Sequence, residues 1–234
     1  DRAATTVVPQ FASLVKPAEL DMHGFLYRHQ ADQLTLNPVW ISYATAPIVE
    51  EAEPNNNPSR AHQVEAPCEY VGQFYPRRDT DWIELRDKQG DIFWFELFSA
   101  RLGHPTDAFL LIQRVVTSES GKVTVQDVAE VDDAEARPGG KAFGMPSSDP
   151  VYRLSVAEDS TYRVLIRDLY GDSYASPRHV YRLSIRQSQP DFRLIAAPDS
   201  PWSPGKDQPL RWNPILRRGG AVPLRVLVHR RDGF

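Results

Sequence analysis

The chain has 234 residues, a formal net charge of -4, 25% charged and 41% hydrophobic residues, 20 prolines and a single cysteine. That balance gives no overall attraction to nucleic acid; the lone Cys68 excludes an internal disulfide and a cysteine-rich zinc site; no apolar run is long enough to span a bilayer. Proline well above its usual share of about 5% points to short elements broken by turns, and so to an all-β chain with room for one large domain and pieces of others.

Residues 1–49 read as a lead-in, or as the end of a preceding domain. Pro9, Pro17 and Pro38 interrupt any helix there, while GFLYRH (24–29) and VWISYATA (39–46) are expected to pair as a hairpin across QADQLTLN. With Asp1 where a methionine would start the chain, the sequence is expected to be a processed or excised part of something longer.

Next comes Glu51-x-Glu53-Pro54-Asn55-Asn56. Pro54 fixes its own φ and removes a donor, and asparagines tolerate turn conformations, so this is a rigid, oxygen-rich loop. Eight short runs follow, CEYVGQFY, DWIELRD, DIFWFELFS, DAFLLIQRVV, KVTVQDVAEV, VYRLSVA, TYRVLIRDL and VYRLSIRQ. Each is rich in β-branched or aromatic residues and each is closed by a turn former. Their spacing predicts an antiparallel β-sandwich or barrel over residues 50–190. Alternation assigns Tyr152, Leu154, Val156, Tyr162, Val164, Ile166, Tyr181, Leu183 and Ile185 to the core. Cys68, at an apolar-flanked strand start, reads as a small buried hydrophobe. Beyond Pro190 a Pro-, Ser- and Asp-rich linker leads to PLRWNPIL and VPLRVLVHR, so residues 191–234 are expected to hold a linker and an incomplete second β domain.

Most chemical motifs fail on context. His23, His29, His62, His104, His179 and His229 show no metal spacing, which argues against a zinc hydrolase. Gly171-Asp172-Ser173 follows a strand but lacks the helix and the late Asp-x-x-His that an esterase serine needs, so it reads as a loop. The acids Asp127, Glu130, Asp132, Asp133 and Glu135 match no EF-hand spacing and read first as a charged turn. In DIFWFELFS, Phe93, Phe95 and Leu97 feed the core, and Trp94 and Phe98 face away. They either pack on another part of the chain or stack on a sugar or peptide. Arg153, Arg163, Arg167, Arg182 and Arg186 point outward from three strands. If those strands share a sheet, they form a basic face for an acidic protein or polysaccharide surface; otherwise they are solvated cross-strand pairs.

The order Glu-x-Glu-Pro-Asn-Asn, a Gly-x-Phe strand, Asp79-x-Asp81-Trp82, an apolar strand after Gly90, Asp132-Asp133, Asp149-x-x-Tyr152, Ser160-Thr161-Tyr162-Arg163-Val164 and Tyr181-x-Leu183 resembles the bacterial pre-peptidase C-terminal domain over about residues 50–187. The resemblance implies a compact antiparallel sandwich of jelly-roll type, appended to secreted proteases and other exported or surface proteins and usually not catalytic. The chain departs from the family at Ser160, where glycine is commoner, and in the long loops ARLGHPTDA and EARPGGKAFGMPSS. Some members, including the collagen-binding domains of bacterial collagenases, hold calcium with the equivalent acids, which here are Glu51, Glu53, Asn55, Asp79 and Asp81. Oxygen donors of mixed type suit calcium. The other reading leaves Glu51 and Glu53 solvated and has Asp79 and Asp81 cap turns, paired with Arg77 and Arg78.

The expected protein is therefore a noncatalytic, calcium-stabilised binding or spacer module of a larger exported bacterial protein. It is expected to be extracytoplasmic, to contact a protein or polysaccharide surface, and to have no nucleic-acid partner and no transmembrane segment. Two other readings stand beside it: an accessory domain of a secreted peptidase or other hydrolase, and a structural subunit of an extracellular or membrane-attached assembly.

Overall fold

The computed structural model describes residues 22–31, 34–118, 120–136, 143–198 and 217–234. Among them the lead-in forms the expected hairpin: β1 (Gly24–Tyr27) pairs antiparallel with β4 (Val39–Ser42), and the intervening turn itself pairs β2 (Gln30–Ala31) with β3 (Leu34–Thr35). The strands that follow are β5 (Ile48–Glu50), β6 (His62–Gln63), β7 (Cys68–Gln73), β8 (Asp81–Asp87), β9 (Ile92–Phe98), β10 (Ala108–Thr117), β11 (Val123–Val131), β12 (Ala134–Ala136), β13 (Met145–Ser147), β14 (Val151–Ser155), β15 (Ser160–Asp168) and β16 (Val180–Gln187). All eight runs read from the sequence are strands.

Two five-stranded sheets face each other. One has the order β14-β9-β16-β7-β5 and the other β11-β10-β15-β8-β6. Pairing is antiparallel except that β5 runs parallel to β7 and β6 parallel to β8. Alternate residues of both sheets fill the space between them: Tyr70, Phe93, Phe95, Leu97, Leu154, Tyr181, Leu183 and Ile185 meet Ile83, Leu85, Leu110, Ile112, Tyr162, Val164 and Ile166 in one buried cluster. Eight of the nine residues assigned to the core by alternation are buried, and Tyr152 packs half-buried against them. Cys68 is buried at 1% exposure, and burial together with the charge of Glu69 pushes its thiol up to about 11, so it is an inert core residue.

One sequence expectation changes here. β14 and β16 lie in the first sheet and β15 in the second, so the five outward arginines do not share a face. Arg153, Arg182 and Arg186 belong to one sheet, Arg163 and Arg167 to the other. Alternation decides which side of a strand faces inward, but it carries no information about which strand lies next door.

The chain divides into two compact units, Asp1–Ala134 with Pro146–Gln187, and Glu135–Met145 with Ser188–Phe234. In the second, β17 (Asp191–Pro198) pairs antiparallel with β18 (Leu224–Arg231). The PLRWNPIL run lies outside the described residues. No described helix is long and apolar enough to cross a membrane.

Candidate metal centre

The acidic loop is held in place by backbone bonds at both ends. Glu51 N–H donates to Val71 at 2.8 Å, which anchors the loop start to β7; Trp82 N–H donates to the Asn55 carbonyl at 3.0 Å, which anchors its middle to the start of β8. Asp81 is the first residue of β8 and shares the inward side with Ile83 and Leu85, so its carboxylate enters the end of the core with no exposure at all. Asp79 sits two residues earlier in a turn, where it accepts from the N–H groups of Tyr75 and Thr80, each at 3.1 Å.

These placements bring oxygen atoms of Glu51, Glu53, Asp79 and Asp81 within 4.8 Å of one another. Asn55, fully buried, joins them: its N–H donates to Glu53 at 2.9 Å and its side-chain nitrogen to the Tyr70 hydroxyl at 3.2 Å. Its side-chain oxygen faces acceptors of Glu53, Asp81 and Asn56. Turning the amide over would instead let the nitrogen donate to those atoms at 3.1 to 3.2 Å. With the nitrogen inward both ends of the amide find partners without an ion; with the oxygen inward it could serve as a cation ligand. Asn56 is the member that sequence reasoning left out; the doubled asparagine was the available signal.

Two tyrosines close the inner side. Tyr181 donates to Asp81 at 2.7 Å, and the Tyr70 ring lies 6.3 Å from that of Tyr181. Space is tight at Gly72: a Cβ there would lie 2.5 Å from the Tyr181 hydroxyl and 2.6 Å from Glu51 Oε2, so any side chain would have to displace them.

Burial and then the charges of Glu51 and Glu53 push the Asp79 carboxyl up to about 7. Burial, with a hydrogen bond to Glu51 and the charges of Glu51 and Asp79, raises Asp81 strongly as well. Tyr70 and Tyr181 are raised by burial first. The arginines that could have neutralised these acids are engaged elsewhere: Arg77 donates to the Asp172 carbonyl, and Arg78 pairs with the Asp172 carboxylate at 2.8 Å. Four carboxylates so arranged repel one another, and a hard cation with six to eight oxygen ligands is what the donor set fits. Such an ion would join Asp81, on one sheet, to Glu51, which is bonded to β7 of the other.

The other singled-out residues fall as follows. Asp172 and Ser173 form a tight turn, with Ser173 N–H on Tyr170 at 2.9 Å. Phe98 is 4% exposed and lies between the guanidinium groups of Arg101 at 4.1 Å and Arg182 at 4.5 Å; Arg186 lies 5.9 Å from the half-buried Trp94 ring. Arg182 donates to Ser42 and Tyr43, and Thr45 donates to Glu69 at 3.0 Å, so residues 42–45 of the lead-in cover this part of the sheet. Arg186 pairs with Glu96 at 3.1 Å, Arg163 with Glu84 at 2.7 Å, Arg167 stacks on Phe109 at 4.8 Å and Arg153 donates to Ser155 at 3.0 Å. Asp127 accepts from Gln113, whereas Asp132 and Asp133 approach Asp107; the Glu135 side chain lies outside the described residues. His104 and His179 have ring centres 6.4 Å apart, and His62 packs on Tyr70.

Fold and site together define a two-sheet β-sandwich with an acidic, oxygen-lined end. No family model and no curated protein matches the sequence. Among solved structures, the chain is similar to the pre-peptidase C-terminal domain of a collagenase from Bacillus anthracis, at 11% identity and a TM-score of 0.36, over 56% of this chain and 100% of that one. It is also similar to a surface-associated copper-binding protein from Methylomicrobium album BG8, at 9% identity and a TM-score of 0.29, over 50% of this chain and 84% of that one.

Proposed function

We propose that residues 50–190 are a noncatalytic β-sandwich module of a larger exported bacterial protein, that the module is stabilised by calcium at Glu51, Glu53, Asn55, Asp79 and Asp81, and that it serves to space or bind, at a protein or polysaccharide surface. The observation that carries this reading is the cluster of four carboxylates, with Asn55 buried against it and Arg77 and Arg78 engaged with Asp172. Calcium is favoured over a softer metal because the set offers only oxygens, and over magnesium because acids spread over a loop and a strand end suit flexible geometry better than a strict octahedron. The resemblance in the order of motifs over residues 50–187 supports the accessory, extracytoplasmic role.

Terbium, which replaces calcium and is excited through nearby phenols, tests the site directly because Tyr70 and Tyr181 line it. Tyrosine-sensitised emission that calcium competes away and that Asp81→Asn removes is the expected result. Emission that is absent, or that survives in Asp81→Asn undiminished, overturns the assignment.

A further inference from the structure

We infer that the turns at residues 74–79 and 169–174 form a tyrosine platform that binds neutral polysaccharide of β-1,4-linked pyranose rings. The inference rests on the reading of residues 50–190 as a binding module and narrows its partner. Backbone pairing brings the two turns together. β7 and β16 are partners as far as Gln73 and Val180, and Phe74 N–H extends the ladder by donating to the His179 carbonyl at 2.8 Å, so Tyr75 leaves β7 beside the start of β16. The turn after β15 meets this one from the other sheet. Arg78 N–H donates to the Gly171 carbonyl at 3.3 Å, Arg77 donates to the Asp172 carbonyl, and Arg78 pairs with the Asp172 carboxylate at 2.8 Å.

The second turn is itself held by its backbone. Leu169 N–H donates to the Asp107 carbonyl at 2.8 Å and Tyr170 N–H to Asp168 at 3.0 Å, and the N–H groups of Ser173 and Tyr174 both donate to the Tyr170 carbonyl, at 2.9 and 3.0 Å. The last bond closes one helical turn, and residues four apart on such a turn are neighbours, with Cβ atoms about 5 to 6 Å apart, so Tyr170 and Tyr174 stand side by side. The Tyr174 ring meets the His179 ring edge-on at 4.8 Å, and the His179 carbonyl holds Phe74, the residue before Tyr75. Yet Tyr170 and Tyr174 are each 56% exposed and Tyr75 is 49% exposed. One exposed ring is ordinary on a surface, whereas three on two mutually bonded turns make a contact area whose backbone is ordered before any partner arrives.

The chemistry left exposed selects the partner. Arg77 and Arg78 are already committed to Asp172, so the groups that remain are phenol rings, their hydroxyls and the exposed Ser173. That set suits a neutral, hydroxyl-rich partner better than an acidic one. A pyranose ring with equatorial substituents has flat C–H faces that match the electron-rich face of a phenol, and its rim hydroxyls exchange hydrogen bonds with the phenol O–H. Rings about half exposed offer such a stacking surface rather than the desolvated pocket in which protein hot spots sit. Co-sedimentation of the full chain with amorphous cellulose and with chitin tests the inference, with gelatin-coated beads beside them. Each is run in calcium and in chelator, so that binding is scored whether or not the acidic cluster holds an ion. The parent should sediment with at least one glycan. Tyr170→Ser, which leaves the contact of Tyr174 with His179 in place, should weaken that binding about three- to tenfold at an unchanged melting temperature, and Tyr170→Phe should keep most of it. Retention on neither glycan, retention undiminished in Tyr170→Ser, or capture on gelatin alone overturns the inference, whatever terbium shows at Asp81.

Discussion

Asn55 can turn either of two chemically different edges toward Glu53, Asp81 and Asn56, and the edge presented decides whether it could serve a cation or the carboxylates themselves. With the oxygen inward it is a ligand; with the nitrogen inward it donates to Glu53 and Asp81 and partly offsets their repulsion. Gly72 protects this choice by leaving room for Tyr181 and Glu51. In Gly72→Ala the new Cβ would meet both side chains below van der Waals contact, and the backbone around β7 is fixed by its partners, so the cost should be about 1 to 3 kcal/mol as overpacking. Urea denaturation should show that loss, and calcium affinity should fall with it. A variant as stable as the parent that binds calcium unchanged would mean the packing at Gly72 is not coupled to the site.

At the scale of elements, the turn after β9 shows how a long surface loop is tied down. Arg101, 7% exposed, donates to Asp149 at 3.0 Å, to Glu96 at 2.9 Å and to the Leu97 carbonyl at 2.7 Å, and Asp149 also accepts the N–H groups of Ser99, Ala100 and Arg101. Removing the guanidinium takes a charge partner from two buried carboxylates, of which Glu96 keeps Arg186 and Asp149 keeps its three N–H donors, so the cost should fall at the lower end of the roughly 3 to 5 kcal/mol typical of breaking a buried pair. Arg101→Met should be destabilised by that amount in denaturant melts, and Arg101→Lys should recover little of it because an ammonium cannot reproduce the fork. A loss near zero for Arg101→Met would contradict the role given to this turn. The same scale shows what was legible in the sequence. Strict alternation in VYRLSVA, TYRVLIRDL and VYRLSIRQ named the inward residues correctly, because a strand's period fixes its faces. The three segments look alike, yet β15 pairs with β8 and β10 whereas β16 pairs with β7 and β9, and no local feature of the sequence encodes that partition. Asp107 went unread for the same reason: it looks like an ordinary strand boundary until non-local pairing brings it together with Asp132 and Asp133. The acids of loop 51–57 and the Asp79-x-Asp81 pair could be named in advance only through the order of motifs along the whole domain.

For the whole molecule, the consequence is a sandwich whose two sheets share a packed apolar middle and an end where four carboxylates gather. The sign of the pH dependence follows from Asp79. Its carboxyl titrates at about 7 in the folded chain, against about 3.9 when unfolded, so the folded state holds the proton more tightly between those values. That contribution to stability is fully present below about pH 4 and is lost as pH rises through about 7, and Asp81 shifts in the same direction. Calcium needs the deprotonated acids, so the stabilisation it brings should grow as the proton's contribution fades. The most direct measurement is thermal melting of the parent and of Asp81→Asn, each in chelator and in millimolar calcium, at about pH 5 and about pH 8. A ligand at about 100 times its dissociation constant adds roughly 2.7 kcal/mol, a rise of several degrees for a domain of this size. The parent should show that rise at the higher pH, a smaller one at the lower pH, and Asp81→Asn should lose most of it; a parent whose melting temperature is the same in chelator and in calcium at both pH values would contradict a cation holding the two sheets together at this end.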